Sequence, residues 1–201
     1  MIQALTPRLI LASQSPARAA LLRAAGLSFE AKPAPIDEAA IKTSFRQDGE
    51  EPAACALTLA DLKAARLRDP DSLIIGADQL LVCDGDWFDK PSDLVAARAH
   101  LLRLRGREHT LVTAIVVHRA GETIWHHVAT PRLLMRRFTD PFLEAYLAAE
   151  GDALLSSVGA YRLEGLGIHL FERIEGEHAA ILGLPLLALL GFLRQHGVLT
   201  A

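Results

Sequence analysis

The chain has 201 residues, 51% hydrophobic and 22% charged, with a formal net charge of -3. A chain this apolar folds around a substantial core rather than remaining disordered, and its acidity gives no electrostatic case for binding a nucleic-acid polymer. Two cysteines, Cys55 and Cys83, are too few for a disulfide scaffold and lack the spacing of a zinc site.

Arg8 to Ala12 is a short apolar run that predicts a buried strand. Ser15 follows as a helix N-cap with Pro16 at the first helical position, Leu21 and Leu22 supply an apolar stripe, and Gly26 closes the helix. The N-terminus lacks the charged and apolar regions of a signal peptide. After Lys32-Pro33-Ala34-Pro35, the acidic pair Asp37-Glu38 is predicted in a loop. From Pro52 to Leu67 the spacing of Ala56, Leu59, Ala60, Lys63, Ala64 and Leu67 is helical.

Ser72 to Ala77 predicts a second buried strand with Asp78 at its end, continued by Gln79 to Cys83 and turned at Asp84-Gly85-Asp86. Lys90-Pro91 precedes a helix capped by Ser92 that runs to about Leu104. Thr110 to His118 and Glu122 to Leu134 predict two long strands around Ala120-Gly121. Thr139-Asp140-Pro141 opens another helix, Gly159 to Leu163 and Gly167 to Ile174 predict further strands, and Leu184 to His196 closes the chain as a helix. The apolar stretch Ile181 to Leu193 is shorter than a bilayer span and contains Pro185. Strands and helices interleave, so the class is α/β, read as a single domain over residues 1–201 and expected in the cytoplasm.

Several side chains can carry chemistry. The turn Ser13-Gln14-Ser15-Pro16-Ala17-Arg18 is either an ordinary capped helix or an oxyanion site, since helix N–H groups and an Arg fork suit phosphate oxygens. Asp78 is a turn-capping carboxylate, a metal ligand or a general base. Glu38 belongs either to a solvated loop or to a hard-cation site, which needs few protein carboxylates. Lys63 and Lys90 either lay their stems along apolar surface or reach a phosphate pocket. No Ser-His-Asp arrangement is visible, and His126 and His127 occupy adjacent strand positions that face opposite ways.

Taken together, Ser13-Gln14-Ser15-Pro16-Ala17-Arg18, Asp37-Glu38, Lys63, Gly76-Ala77-Asp78, Lys90-Pro91 and Gly183-Leu184-Pro185 resemble, in order and spacing, the Maf-like nucleoside triphosphate pyrophosphatases. Gly106-Arg107-Glu108-His109 with Thr113 is similar to another family segment. The resemblance implies the Maf/Ham1 (ITPase-like) fold, an elongated mixed sheet with flanking helices and two lobes around a cleft, and a homodimer. It implies hydrolysis between the α and β phosphates with Mg²⁺ or Mn²⁺, the ion held by Glu38 and Asp78. Ser13, Ser15, Arg18 and Lys63 would bind phosphates, Glu38 and Lys90 would join in catalysis, and Asp78 would accept the proton of the attacking water.

Three positions associated with base choice correspond to Ala17, Gln79 and Glu164. The dTTP and UTP branch of the family usually has Arg, Thr and Gln there; the 7-methyl-GTP branch has Trp, Gln and Glu. Gln79 and Glu164 agree with the second branch, as does the segment Glu164 to Arg173, while Ala17 departs from both. Ser156-Ser157-Val158-Gly159 stands where the pyrimidine branch commonly has Asp-Lys-Ala-Gly, and His109 is similar to the pyrimidine branch. The implied substrate is 7-methyl-GTP or another modified nucleotide. The alternatives are a dTTP/UTP pyrophosphatase and, from a different class, an inactive nucleotide-binding regulator.

Overall fold

The computed structural model describes residues 2–200. Its strands form a mixed sheet in the order β2 (Glu30–Ala31), β1 (Arg8–Leu11), β3 (Ser72–Cys83), β5 (Glu108–Arg119), β7 (Arg132–Met135) and β8 (Phe171–Glu175), with β4 (Asp86–Phe88) on β3 and β6 (Glu122–Ala129) on β5. The chain divides into two compact units: the first runs up to Gln79 and adds Thr113–Ala129 and the segment from Glu177 on, and the second comprises Leu80–Val112 and Thr130–Gly176.

In the first unit, β1 (Arg8–Leu11) lies parallel to both β2 (Glu30–Ala31) and the first part of β3 (Ser72–Cys83). Parallel neighbours need crossovers, and α1 (Pro16–Ala24), α2 (Glu38–Gln47) and α3 (Pro52–Ala65) lie in those connections. The far part of β5 (Glu108–Arg119) forms a hairpin with β6 (Glu122–Ala129), and α6 (His178–Ile181) and α7 (Leu186–Gln195) complete the unit. Side chains two apart on the strands share a face, so Leu9, Leu11, Leu73, Ile75, Ile115 and Val117 cluster with Leu22 of α1 and Leu189 and Phe192 of α7. Gly76 lies on the opposite face of β3, where α3 packs so closely that an ideal Cβ at Gly76 would stand 3.1 Å from the Ala64 Cβ.

In the second unit the rest of β3 pairs with β4 (Asp86–Phe88), α4 (Leu94–Leu104) follows, and the start of β5 pairs antiparallel with β7 (Arg132–Met135), which pairs with β8 (Phe171–Glu175). The helix α5 (Asp140–Glu150) and 3-10 turns at Gly151–Ser156 and Leu166–Leu170 lie between β7 and β8.

Several sequence expectations are corrected. Asp37-Glu38 is a helix start rather than a loop: the Asp37 carboxylate accepts from the Ala40 N–H at 3.0 Å and Glu38 is the first residue of α2. The cap of α4 is Asp93, which accepts from the Ala96 N–H at 2.8 Å, rather than Ser92. Glu122 to Leu134 is two strands, because Pro131 has no N–H to continue a ladder. Gly159 to Leu163 forms turns: Ala160 has φ 54°, and its N–H bonds the Ser157 carbonyl three residues back. Gly167 to Ile174 begins as a 3-10 turn and becomes β8 only at Phe171. Asp78 lies inside β3, which runs on without interruption to Cys83.

Candidate active site

In the first unit the loop after β1 folds as a capped helix start. Ser15 Oγ accepts from the Arg18 N–H at 3.4 Å, and Ser13 Oγ accepts from the Ser15 N–H at 3.2 Å. Ser13 Oγ also takes a hydrogen bond from Arg18 Nη1 at 3.2 Å, so both hydroxyls serve the same turn. Arg18 is held at its other edge by the Gly183 carbonyl, 2.8 Å from Nε. Gly183 has φ 98°, and a Cβ there would stand 3.2 Å from Arg18 Nε, so a residue without a side chain lets the backbone meet the guanidinium. Burial lowers the Arg18 pKa, and the negative charges of Asp78 and Glu38 act in the opposite direction. Half-buried Ala17 occupies the second position of α1.

The second part of this unit's site lies on the α3 face of β3. Lys63 Nζ is 2.5 Å from Asp78 Oδ1 and 2.6 Å from Glu38 Oε1. Lys63 and Asp78 are 8% and 4% exposed, and Asp78 Oδ2 is buried without a hydrogen-bond partner. Buried charges are tolerable when paired, and here one ammonium bridges two carboxylates. Lys42, one helical turn after Glu38, stands 3.8 Å from Glu38 Oε2. The two acidic residues and the lysine singled out from sequence are therefore one ion-paired group, and the snorkelling alternative for Lys63 is set aside.

Gln79, next to Asp78, leaves the opposite face of the strand. Its amide nitrogen donates to Thr113 Oγ1 at 2.8 Å and lies 3.0 and 3.1 Å from the carbonyls of Ala180 and Ile181. Carbonyl oxygens only accept, which settles the amide orientation and leaves Oε1 as the group Gln79 can offer a ligand.

Lys90 and Glu164 belong to the second unit. Lys90 is exposed in the segment between β4 and α4. Glu164 is exposed in a turn, with its Oε1 3.4 Å from Arg162 Nε; Arg162 Nη1 in turn bonds buried Glu150 at 3.2 Å. Glu150 also accepts from the Leu166 N–H at 2.7 Å, which ties down the turn that carries Glu164.

Sequence reasoning about side-chain chemistry missed three contributors. Lys42 had no spacing signal beyond being four residues from Glu38. Thr113 and the Gly183 carbonyl act through contacts distant in sequence, although both lie in segments that resemble the family.

Two carboxylates, two lysines and an arginine thus gather on the α/β frame of the first unit. The chain belongs to the Maf family: the profile described as Maf-like protein matches residues 8–196. It is 58% identical, over 96% of its length and 99% of the relative's, to a protein of Granulibacter bethesdensis named nucleoside triphosphate pyrophosphatase. A Rhodospirillum rubrum protein of the same name is 50% identical over 98% of this chain and 99% of its own. A Rhizobium etli protein named 7-methyl-GTP pyrophosphatase is 47% identical over 97% of this chain and 99% of its own. No helix of the described residues is long and apolar enough to cross a membrane.

Proposed function

We propose that this protein hydrolyses nucleoside triphosphates between the α and β phosphates, releasing a nucleoside monophosphate and pyrophosphate. The observation that carries the proposal is the Asp78–Lys63–Glu38 group, buried at Asp78 and Lys63, in which one Asp78 oxygen is pinned and the other has no partner. Lys63 fixes Oδ1, so Oδ2 is the atom that accepts the water's proton as the new P–O bond forms and the bridging oxygen leaves with pyrophosphate. General-base assistance of this kind contributes about 10²–10⁴-fold in rate. Arg18, oriented by Ser13 and Gly183, supplies charge for the phosphate oxygens, and the hydroxyls of Ser13 and Ser15 shape the loop beside it. Lys90 and Glu164 keep, in this proposal, the roles that the family resemblance gives them.

A divalent cation suits the donor set. No group of three or more His, Cys, Asp or Glu among the described residues is placed to hold a metal, so a closed protein cage is not what the site offers. Mg²⁺ or Mn²⁺ needs only one or two carboxylates when water and phosphate oxygens complete its shell, and the carboxylates gathered around Lys63 supply two. Glu38 and Asp78 would hold the ion, which when bound offsets phosphate charge and polarises the anhydride.

For the base, Gln79 favours a guanine over a pyrimidine. Its nitrogen is committed to Thr113 and two carbonyls, so it offers an acceptor, and guanine presents N1–H and N2–H donors where thymine and uracil present one N–H flanked by carbonyls. A carboxylate at Glu164 adds acceptors and prefers the positive ring of 7-methyl-GTP. The homodimer implied by the family belongs to the same proposal and is tested by light scattering of the eluted protein.

The deciding experiment is release of pyrophosphate from a triphosphate panel containing 7-methyl-GTP, GTP, dTTP and UTP, with Mg²⁺ or Mn²⁺. The highest kcat/KM is expected for 7-methyl-GTP. A preference for dTTP and UTP reassigns the base, and nucleotide binding without turnover on any member replaces the enzyme by a binding protein.

A further inference from the structure

Glu150 is the last residue of α5, and its side chain is 6% exposed. Both facts count against a carboxylate: a helix C-terminus disfavours negative charge, and a buried charge destabilises the fold unless it is paired. Its hydrogen bonds run to one turn of the second unit. Glu150 Oε2 accepts from Arg162 Nη1 at 3.2 Å, and Oε1 accepts from the Leu166 N–H at 2.7 Å. Within that turn the Arg162 carbonyl accepts from the Gly165 and Gly167 N–H groups at 3.1 and 3.0 Å, and the Leu166 N–H between them goes to Glu150 instead. Gly165 makes room for the contact, since a Cβ there would stand 2.5 Å from Glu150 Oε1.

Glu164 stands inside the same turn. Its Oε1 lies 3.4 Å from Nε of Arg162, and its side chain is 40% exposed, so the carboxylate is tethered at one oxygen and open to solvent. Arg162 thus spans two carboxylates, a buried one that fixes it and an exposed one that it aims. Without Glu150, the guanidinium fork is free to turn both nitrogens onto Glu164 and occupy the oxygens that would accept guanine's N1–H and N2–H. We propose that Glu150 is a specificity-determining positioning residue, which holds Arg162 and the Leu166 N–H so that Glu164 presents open acceptors to a guanine base. This rests on the base reading proposed above. Glu150 acts through Glu164 and not on the substrate itself.

The test measures kcat/KM for GTP and for inosine triphosphate, whose base lacks only the N2 amine. The proteins are wild type, Glu150→Gln, Arg162→Met, Glu164→Ala and the double variant Glu150→Gln/Glu164→Ala, each with its Tm. Glu150→Gln and Arg162→Met should each lower the GTP-to-inosine triphosphate ratio by about tenfold, the scale of one hydrogen bond to a charged group, with the loss in KM rather than kcat. In the Glu164→Ala background, Glu150→Gln should move the ratio by less than about twofold, because a residue acting through Glu164 has nothing left to position. A merely structural role would lower Tm and the activity on both nucleotides together and leave the ratio where it was. An unchanged ratio in Glu150→Gln, where Glu164→Ala does lower it, overturns the inference and leaves the base reading intact; so does a further tenfold fall in the double variant. Should Glu150→Gln fail to fold, an unchanged ratio in Arg162→Met overturns it. A wild type that turns over neither nucleotide, or whose preference for GTP survives Glu164→Ala, overturns the inference and the base reading together.

Discussion

A Cβ on Gly76 would lie 2.0 Å from the carbonyl oxygen of Ala60, far inside van der Waals contact. The close approach seats α3 directly on β3, and Lys63, three residues after Ala60, reaches Asp78, two residues after Gly76, at 2.5 Å. The glycine thus sets the distance between the ammonium and the carboxylate although it touches neither. Gly76→Ala should push the helix backbone off the strand. Overpacking of this kind costs about 1–3 kcal/mol, or several degrees in Tm for a chain of this size. It should also lower kcat by more than tenfold, since displacement of catalytic groups by about 1 Å is worth up to 10²-fold. Differential scanning fluorimetry with pyrophosphate release checks both; a variant as stable and active as wild type would contradict the role given to Gly76.

Asp78→Asn keeps the shape of the side chain but removes the proton acceptor. The expected result is a fall in kcat of about 10²–10⁴-fold with a much smaller change in KM. Lys63→Met should lower both kcat and affinity, because it unpins Asp78 and removes positive charge facing the phosphates. The two changes share one contact, so their effects should be strongly non-additive in a double-mutant cycle. Additive losses would mean that Lys63 and Asp78 work separately despite the 2.5 Å pair.

The site was partly legible in the sequence for a physical reason. Arg18, Glu38, Lys63 and Asp78 are polar residues at positions where the local pattern asks for turns or apolar packing, and such conflicts mark functional positions. Ser15 read correctly as a cap because capping is a local hydrogen bond, here to the Arg18 N–H. What escaped were contacts that depend on the fold. The Gly183 carbonyl meets Arg18 across 165 positions of sequence, and Thr113 meets Gln79 across 34. The strand expected at Gly159–Leu163 failed similarly: short apolar runs do not distinguish a ladder from a chain of turns closed by local bonds such as Gly165 N–H to the Arg162 carbonyl.

Base selectivity should follow Gln79 and Ala17. Gln79→Thr removes the fixed acceptor and is expected to lower the ratio of kcat/KM for 7-methyl-GTP over dTTP by at least tenfold. Ala17→Trp would add a ring able to stack on a cationic base. Cation–π attraction of about 1 kcal/mol corresponds to roughly a fivefold gain in kcat/KM for 7-methyl-GTP, with little change for GTP. Competition assays with paired substrates measure both ratios directly. Equal changes for all bases would remove these two residues from base recognition.

Acid sensitivity should trace to His109 in the second unit. The residue is 2% exposed, Nε2 lies 2.9 Å from the Tyr161 hydroxyl, and burial pushes its pKa down from 6.5 to about 4. A histidine depressed in the folded state binds a proton first in the unfolded chain. Its penalty is therefore absent above about pH 6.5, grows as pH falls from 6.5 towards 4, and then levels off. The full effect is about 3 kcal/mol, a large share of the stability of a typical domain. Urea unfolding at pH 7.0, 5.5 and 4.5, on the order of the window just given, should show this decline in wild type and a much shallower one in His109→Gln, which cannot take up a proton. At pH 7.0 the variant should be the less stable of the two, because a smaller amide fills the place of the ring packed against Tyr161 and Phe171. The two curves should thus approach each other as the solution is acidified. Parallel curves would mean that the acid sensitivity resides in the carboxylates instead.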